Sequence, residues 1–246
     1  MADLWIALIV AAALLVEAAL GFGSSVIVAT LGAQLGPLDR VMPAFITVNL
    51  ALSAWVTATA RRHVDRALLA RTVLPLVAVG LALGFALGDA ADRPLARVAF
   101  GAGVALLASL ELRRALRPPA VEPPPSRALS AAMLLLGGVV HGVFSAGGPL
   151  VVWVVARRLG DKRAFRATLS ALWLILNTAL VARWLAVGAW TAQTARAALL
   201  LVPSLVLGSL LGARLFRALP QRAFRVVASA VMGAAGLSLM VRTLLR

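Results

Sequence analysis

The chain has 246 residues, 62% of them hydrophobic, and a mean hydropathy of +0.97, a composition that excludes a soluble domain and predicts a polytopic helical membrane protein. With no cysteine and two histidines, it has no disulfide framework, thiolate chemistry or thiolate metal site, and a histidine-rich metal site is not expected. The net charge of +15 sits in short arginine clusters between apolar spans, where arginine sets topology, so nucleic acid is not an expected partner.

Met1, Ala2 and Asp3 offer no positive leader region, so the first apolar segment is read as retained. Leu4 to Leu20 is about 25 Å long as a helix, most of a bilayer crossing. It holds one carboxylate, Glu17. Gly21, Phe22, Gly23, Ser24 and Ser25 then break it. The apolar piece from Val26 to Leu35 is too short to cross alone, and Gly36-Pro37 ends it. Spans are predicted near 43–60, 68–88 and 95–112. A stiff, proline-rich linker at 117–127 separates a first repeat, 1–116, from a second, 128–246.

The second repeat opens with the most unusual stretch in the chain, Gly137 to Pro149, where five glycines and a proline interrupt an apolar run. A bilayer tolerates broken backbone only where protein buries it or it lines a wet cavity. Gly147 and Gly148 expose backbone N–H groups, and Pro149 suits the first turn of a new helix. Such a helix start carries free donors and partial positive charge, which suits a small anion. The alternative is that these glycines serve only close helix packing. A short apolar piece, 149–159, and spans near 167–185, 195–215 and 223–240 follow.

The two repeats match at anchor residues. Gly23 corresponds to Gly147, and Leu35-Gly36 to Leu159-Gly160. Pro75, Gly80 and Gly84 correspond to Pro203, Gly208 and Gly212, and Arg97-Val98 to Arg225-Val226. Agreement in place, order and spacing predicts an internal duplication. Charge then orients it. With each broken unit counted as one crossing, the 24 basic residues divide evenly between the two sides. With each broken unit folded as a hairpin, 17 collect on one side and 7 on the other. The positive-inside rule favours the hairpins and places both termini in the periplasm. Each half then makes an odd number of crossings. The expected fold is all-α: two inverted repeats, each a glycine-broken helical hairpin plus three transmembrane helices, a transporter design.

The run from His141 through Ser145, Gly147, Gly148 and Pro149, then Leu159-Gly160, Arg166 to Thr168 and Asn177, resembles the second half of the sulfite exporter TauE/SafE family of bacterial permeases. Gly21 to Ser25 resembles the first-half motif, with Ser24 and Ser25 where more glycine is usual. The likeness covers nearly the whole chain. It implies proton-driven movement of sulfite, a sulfonate such as sulfoacetate, or a small organic acid across the bacterial inner membrane.

In the hairpin arrangement two helix starts, at Ser24-Ser25 and Gly148-Pro149, are expected to converge on one anion near the midplane. The substrate-binding set is then Gly21, Phe22, Gly23, Ser24, Ser25, His141, Ser145, Gly147, Gly148, Pro149, Arg166, Ser170 and Asn177. The serines can instead satisfy nearby carbonyls, and Arg166 can snorkel to headgroups. Glu17 and His141 occupy matched repeat positions and are the candidates for proton coupling, alone or as a pair. Against this, Glu17 can be solvated near a surface and His141 can be a neutral packing residue. Asn49 reads as interhelical glue, Trp173 as packing, and Trp5, Trp55, Trp184 and Trp190 as interface anchors. No cofactor or metal is expected; the partners are a small anion, protons and lipid, and the sequence is silent on oligomeric state. An uncoupled anion channel and a carboxylate carrier are the rival readings. A protease built on His141 and Ser145 lacks the geometry for attack and a third member, so no enzyme is expected.

Overall fold

The computed structural model describes residues 2–32, 35, 38–87, 93–116, 125–218 and 220–245. Every regular element among them is helical. Five helices are long and apolar enough to cross a bilayer: Arg40–His63, Arg66–Ala86, Pro94–Leu116, Arg127–Phe144 and Lys162–Ala186. The pair Ala192–Leu200 and Val202–Ala218, bent by 43°, makes a sixth if counted as one span. An expected stop at Gly36-Pro37 and most of the linker, from Arg117 to Pro124, lie outside the described residues.

The helices form two compact units, and neither unit is one half of the sequence. The first unit contains α1 (Ala2–Leu20), α2 (Ser24–Leu31), α3 (Leu38–Ala60), nearly all of α9 (Lys162–Ala186), α10 (Ala192–Leu200) and α11 (Val202–Ala218). The second contains α5 (Leu74–Ala86), α6 (Pro94–Leu116), α7 (Arg127–Phe144), α8 (Gly148–Val155) and α12 (Gln221–Leu244). The short α4 (Arg66–Leu68) runs into α5 through a π-helical turn, Leu69–Val73.

The matched glycines explain the principal packing inside each unit. In the second unit α5 lies on α7. A Cβ on Gly80 would run into the Leu135 carbonyl, and one on Gly84 would sit 2.9 Å from the Gly142 Cα. In the first unit α11 lies on α1. A Cβ on Gly208 would come within 2.7 Å of the Ala11 carbonyl, and one on Gly212 would strike the Leu15 carbonyl. In both units, therefore, a glycine-bearing helix from one half of the sequence lies backbone-to-backbone on the helix that leads into the glycine break of the other half. Lipid removes the hydrophobic drive for helix association, so this close approach supplies the van der Waals contact that holds the pair. Gly103 on α6 has open space around it instead. Gly84→Ala is expected to destabilise the detergent-solubilised protein by about 1–3 kcal/mol, read as a lower melting temperature. Gly103→Ala should not lower melting and is expected to raise it slightly, since alanine is the better helix former.

The matched prolines are accommodated differently. Pro75 has no N–H to give the Arg71 carbonyl, and Arg71 lies in the π-helical turn that widens the chain there. Pro203 instead follows the 43° bend between α10 and α11. A capping box of Thr191 and Thr194 starts α10, and Ser126 caps α7 by accepting from the Leu129 N–H at 3.2 Å. In the second unit, Arg157 bridges to Glu111 at 2.7 Å while its guanidinium lies 3.8 Å over the Trp153 ring.

Candidate functional site: two glycine breaks and a buried polar chain

In the first break, Gly21 and Gly23 take positive φ, 83° and 101°, a region that a side chain makes costly. The Gly21 N–H closes the last turn of α1 on the Glu17 carbonyl at 2.6 Å. The chain then doubles back: Gly23 comes beside Val16, and Ser24, the first residue of α2, donates its hydroxyl to the Glu17 carboxylate. The Gly21 carbonyl accepts from Trp173 Nε1 at 2.8 Å, so Trp173 clamps the break as well as packing beside it. Phe22 is buried edge-on to Phe165, with ring centroids 6.0 Å apart. Ser25 is half-buried.

Glu17 is 5% exposed and heads a chain of side-chain hydrogen bonds. Asn49 Nδ2 donates to the same carboxylate oxygen at 2.8 Å and lies 3.2 Å from Ser24 Oγ. Asn49 Oδ1 in turn accepts from Asn177 Nδ2 at 2.7 Å, and Ser53 Oγ stands 3.5 Å from it. Four helices, α1, α2, α3 and α9, are thus tied through one carboxylate. The chain ends at Asn177 Oδ1, which is buried and has no hydrogen-bond partner among the described residues. A carboxylate in hydrocarbon is costly, and these donors are what offsets it.

Arg166 stands beside the same break. A Cβ on Gly21 would lie 3.0 Å from the Arg166 Cα and 3.2 Å from its Cγ. Its guanidinium lies 4.4 Å over the Phe216 ring, and its Nε is buried without a hydrogen-bond partner. Ser170 is buried on α9 between Arg166 and Asn177.

The second break has a different construction. Ser145 ends α7 at φ 55°, its N–H on the His141 carbonyl at 2.8 Å. Gly147 precedes α8, Gly148 starts it, and Pro149 occupies its first turn. α8 returns alongside α7. A Cβ on Gly147 would strike the Gly137 carbonyl and sit 2.8 Å from His141 Cβ, while one on Gly137 would meet Val151. His141, at 2% exposed, and Ser145, at 5%, are both buried there.

Sequence reasoning treated Asn49 as glue and left it out of the site. The missed signal is its spacing: Asn49 and Asn177 are 128 residues apart, as are Pro75 and Pro203, and the two asparagines are bonded to each other. Trp190 was expected at the membrane interface, yet its Nε1 donates to Thr47 Oγ1 at 3.0 Å. Trp5 and Trp55 are exposed. Trp173→Phe removes one donor from the Gly21 carbonyl and should cost about 1 kcal/mol, measured as a lower melting temperature in detergent.

Among the described residues no group of histidine and acidic side chains is arranged to hold a metal ion. No curated protein and no solved structure matches the chain significantly. The family model described as sulfite exporter TauE/SafE matches residues 6–239. That span takes in both glycine breaks and every residue of the polar chain, and with it the protein belongs to the sulfite exporter TauE/SafE family, whose members are membrane permeases for small sulfur-containing anions.

Proposed function

We propose that this permease is a proton-coupled secondary transporter of sulfite or a sulfonate such as sulfoacetate, working in the bacterial inner membrane with both termini in the periplasm. The observation that carries the coupling is the buried Glu17 carboxylate, bonded to the first residue of the helix that starts at the break. A helix start leaves its first N–H groups without intrahelical acceptors, and a sulfonate or sulfite offers several oxygens to take them. Arg166 lays its backbone and aliphatic stem against Gly21, and we assign it the role of counter-ion when the anion enters. Ser145, Gly147, Gly148 and Pro149 form a second helix start of the same kind, with His141 buried beside it. In the working cycle, Glu17 takes a proton as the anion arrives at the break and gives it up on the other side.

The test is flux. The purified protein in liposomes is given sulfite, sulfoacetate, taurine or acetate, with and without an imposed pH gradient. The expected result is sulfite or sulfoacetate uptake that follows the gradient and falls at least tenfold in Arg166→Ala. Flux of equal size without a gradient would replace the carrier with a channel, and flux confined to acetate would replace the substrate class.

A further inference from the structure

We infer that the amides of Asn49 and Asn177 form a polarity relay: the protonation state of Glu17 decides whether a hydrogen-bond acceptor or a donor is presented at the far end, on Asn177, to the transported anion. The inference rests on the transport reading above and adds a means of coupling to it.

Each link has only one sensible direction once Glu17 is ionised. A carboxylate only accepts, so Asn49 must turn Nδ2 toward it, as it does at 2.8 Å. Asn49 then offers Oδ1 on its other side, and Asn177 must answer with Nδ2, at 2.7 Å. What remains is Asn177 Oδ1, an acceptor, buried and unpartnered. An oxygen in that place repels an anion.

A proton from water bound to the Glu17 carboxylate reverses the order. The carboxyl now donates to Asn49 Oδ1 after the amide rotates half a turn about χ2. Asn49 Nδ2 donates to Asn177 Oδ1, and Asn177 turns Nδ2 outward. The far end becomes an N–H donor, which a sulfonate or sulfite oxygen accepts. Ser24 keeps its bond, since a hydroxyl donates to a carboxyl oxygen in either state. One proton is gained, no covalent bond in the chain is broken, and both amides stay neutral. Proton and anion therefore favour each other's binding reciprocally, although neither touches the other.

Charges around Glu17 leave this control in its hands. Among the described residues, α2 has no ionisable side chain. On α3 Arg40 is exposed, and on α11 so are Arg214 and Arg217. On α9 Arg163 and Arg183 are exposed, while Arg166 holds its guanidinium over Phe216.

The experiment uses the full chain in detergent, with sulfoacetate as the probe because it does not titrate near neutrality. Binding is followed by calorimetry between pH 5 and 9, with proton uptake read by an indicator dye. Wild type should take up close to one proton per anion on the alkaline side, with affinity falling up to tenfold per pH unit. Glu17→Gln has no charge to set the direction. It should bind with pH-independent affinity and no proton uptake. Asn177→Leu removes the far end: residual binding should be at least tenfold weaker and should take up no proton. Should Glu17→Gln fail to fold, the infrared band of a protonated carboxyl in wild type, growing on anion addition and not growing in Asn177→Leu, carries the same test. Proton uptake that persists in Glu17→Gln, or in Asn177→Leu, overturns the relay and leaves transport standing. A wild type that binds no sulfoacetate, sulfite or taurine overturns the transport reading and the relay with it.

Discussion

Gly147→Leu is expected to abolish transport and most of the folded protein. The first added carbon would already strike the Gly137 carbonyl and approach the His141 Cβ to 2.8 Å and its backbone nitrogen to 2.9 Å. Two of these three obstacles are backbone atoms, so no rotamer change relieves the clash. α8 must leave α7, exposing the broken backbone that the hairpin buries. Overpacking of an ordinary core costs about 1–3 kcal/mol; here loss of the pair is added, and the combined effect exceeds the margin of a marginally stable fold. Gel filtration should show an aggregated or missing peak. Gly147→Ala separates fold from function: a smaller, partly folded population should remain, with transport per folded molecule reduced at least tenfold. A Gly147→Leu protein that elutes, melts and transports like wild type would show that α8 does not need its place against α7.

Asn49→Leu should have the second largest effect. It removes one of the two side-chain donors to Glu17 and the acceptor of Asn177 together. Both neighbours are almost fully buried, so water does not replace what is lost. Leaving buried polar groups unsatisfied costs about 1–3 kcal/mol each, more for a charge. A destabilisation on the order of 3 kcal/mol follows. The double variant Glu17→Gln with Asn49→Leu should recover part of it, because the uncompensated charge is gone. Thermal melts of the four proteins in the cycle give the coupling directly. Additive losses would show that Glu17 and Asn49 do not lean on each other.

Composition made the class legible: long apolar runs are helices in a bilayer because no other single segment satisfies its own backbone. The breaks were legible as well, since glycine pairs inside such runs are costly unless they turn the chain. The span expected at 43–60 starts earlier, at Leu38, and takes Pro43 inside the helix. Packing partners were beyond the sequence. Nothing in the pattern Pro75, Gly80, Gly84 says which helix fills the groove it makes, and the answer lies on α7, in the other half of the sequence. Hydrogen-bond direction was hidden for a similar reason: Asn49 read as local glue and Ser24 as an anion contact, and only the fold brings both to Glu17.

The pairing of α1 with α11 sets a timetable for synthesis. The Ala7 carbonyl accepts from Ser204 at 2.8 Å across 197 residues of chain. At roughly 5–20 residues per second, a ribosome needs about 10–40 s to make that intervening stretch. Throughout that delay the first helix, with its glutamate, has left the ribosome without the glycine face of α11 that later covers it. α1 waits for a partner made much later in the chain, and a nascent chain stalled before Val202 is the kind of species that membrane quality control would meet.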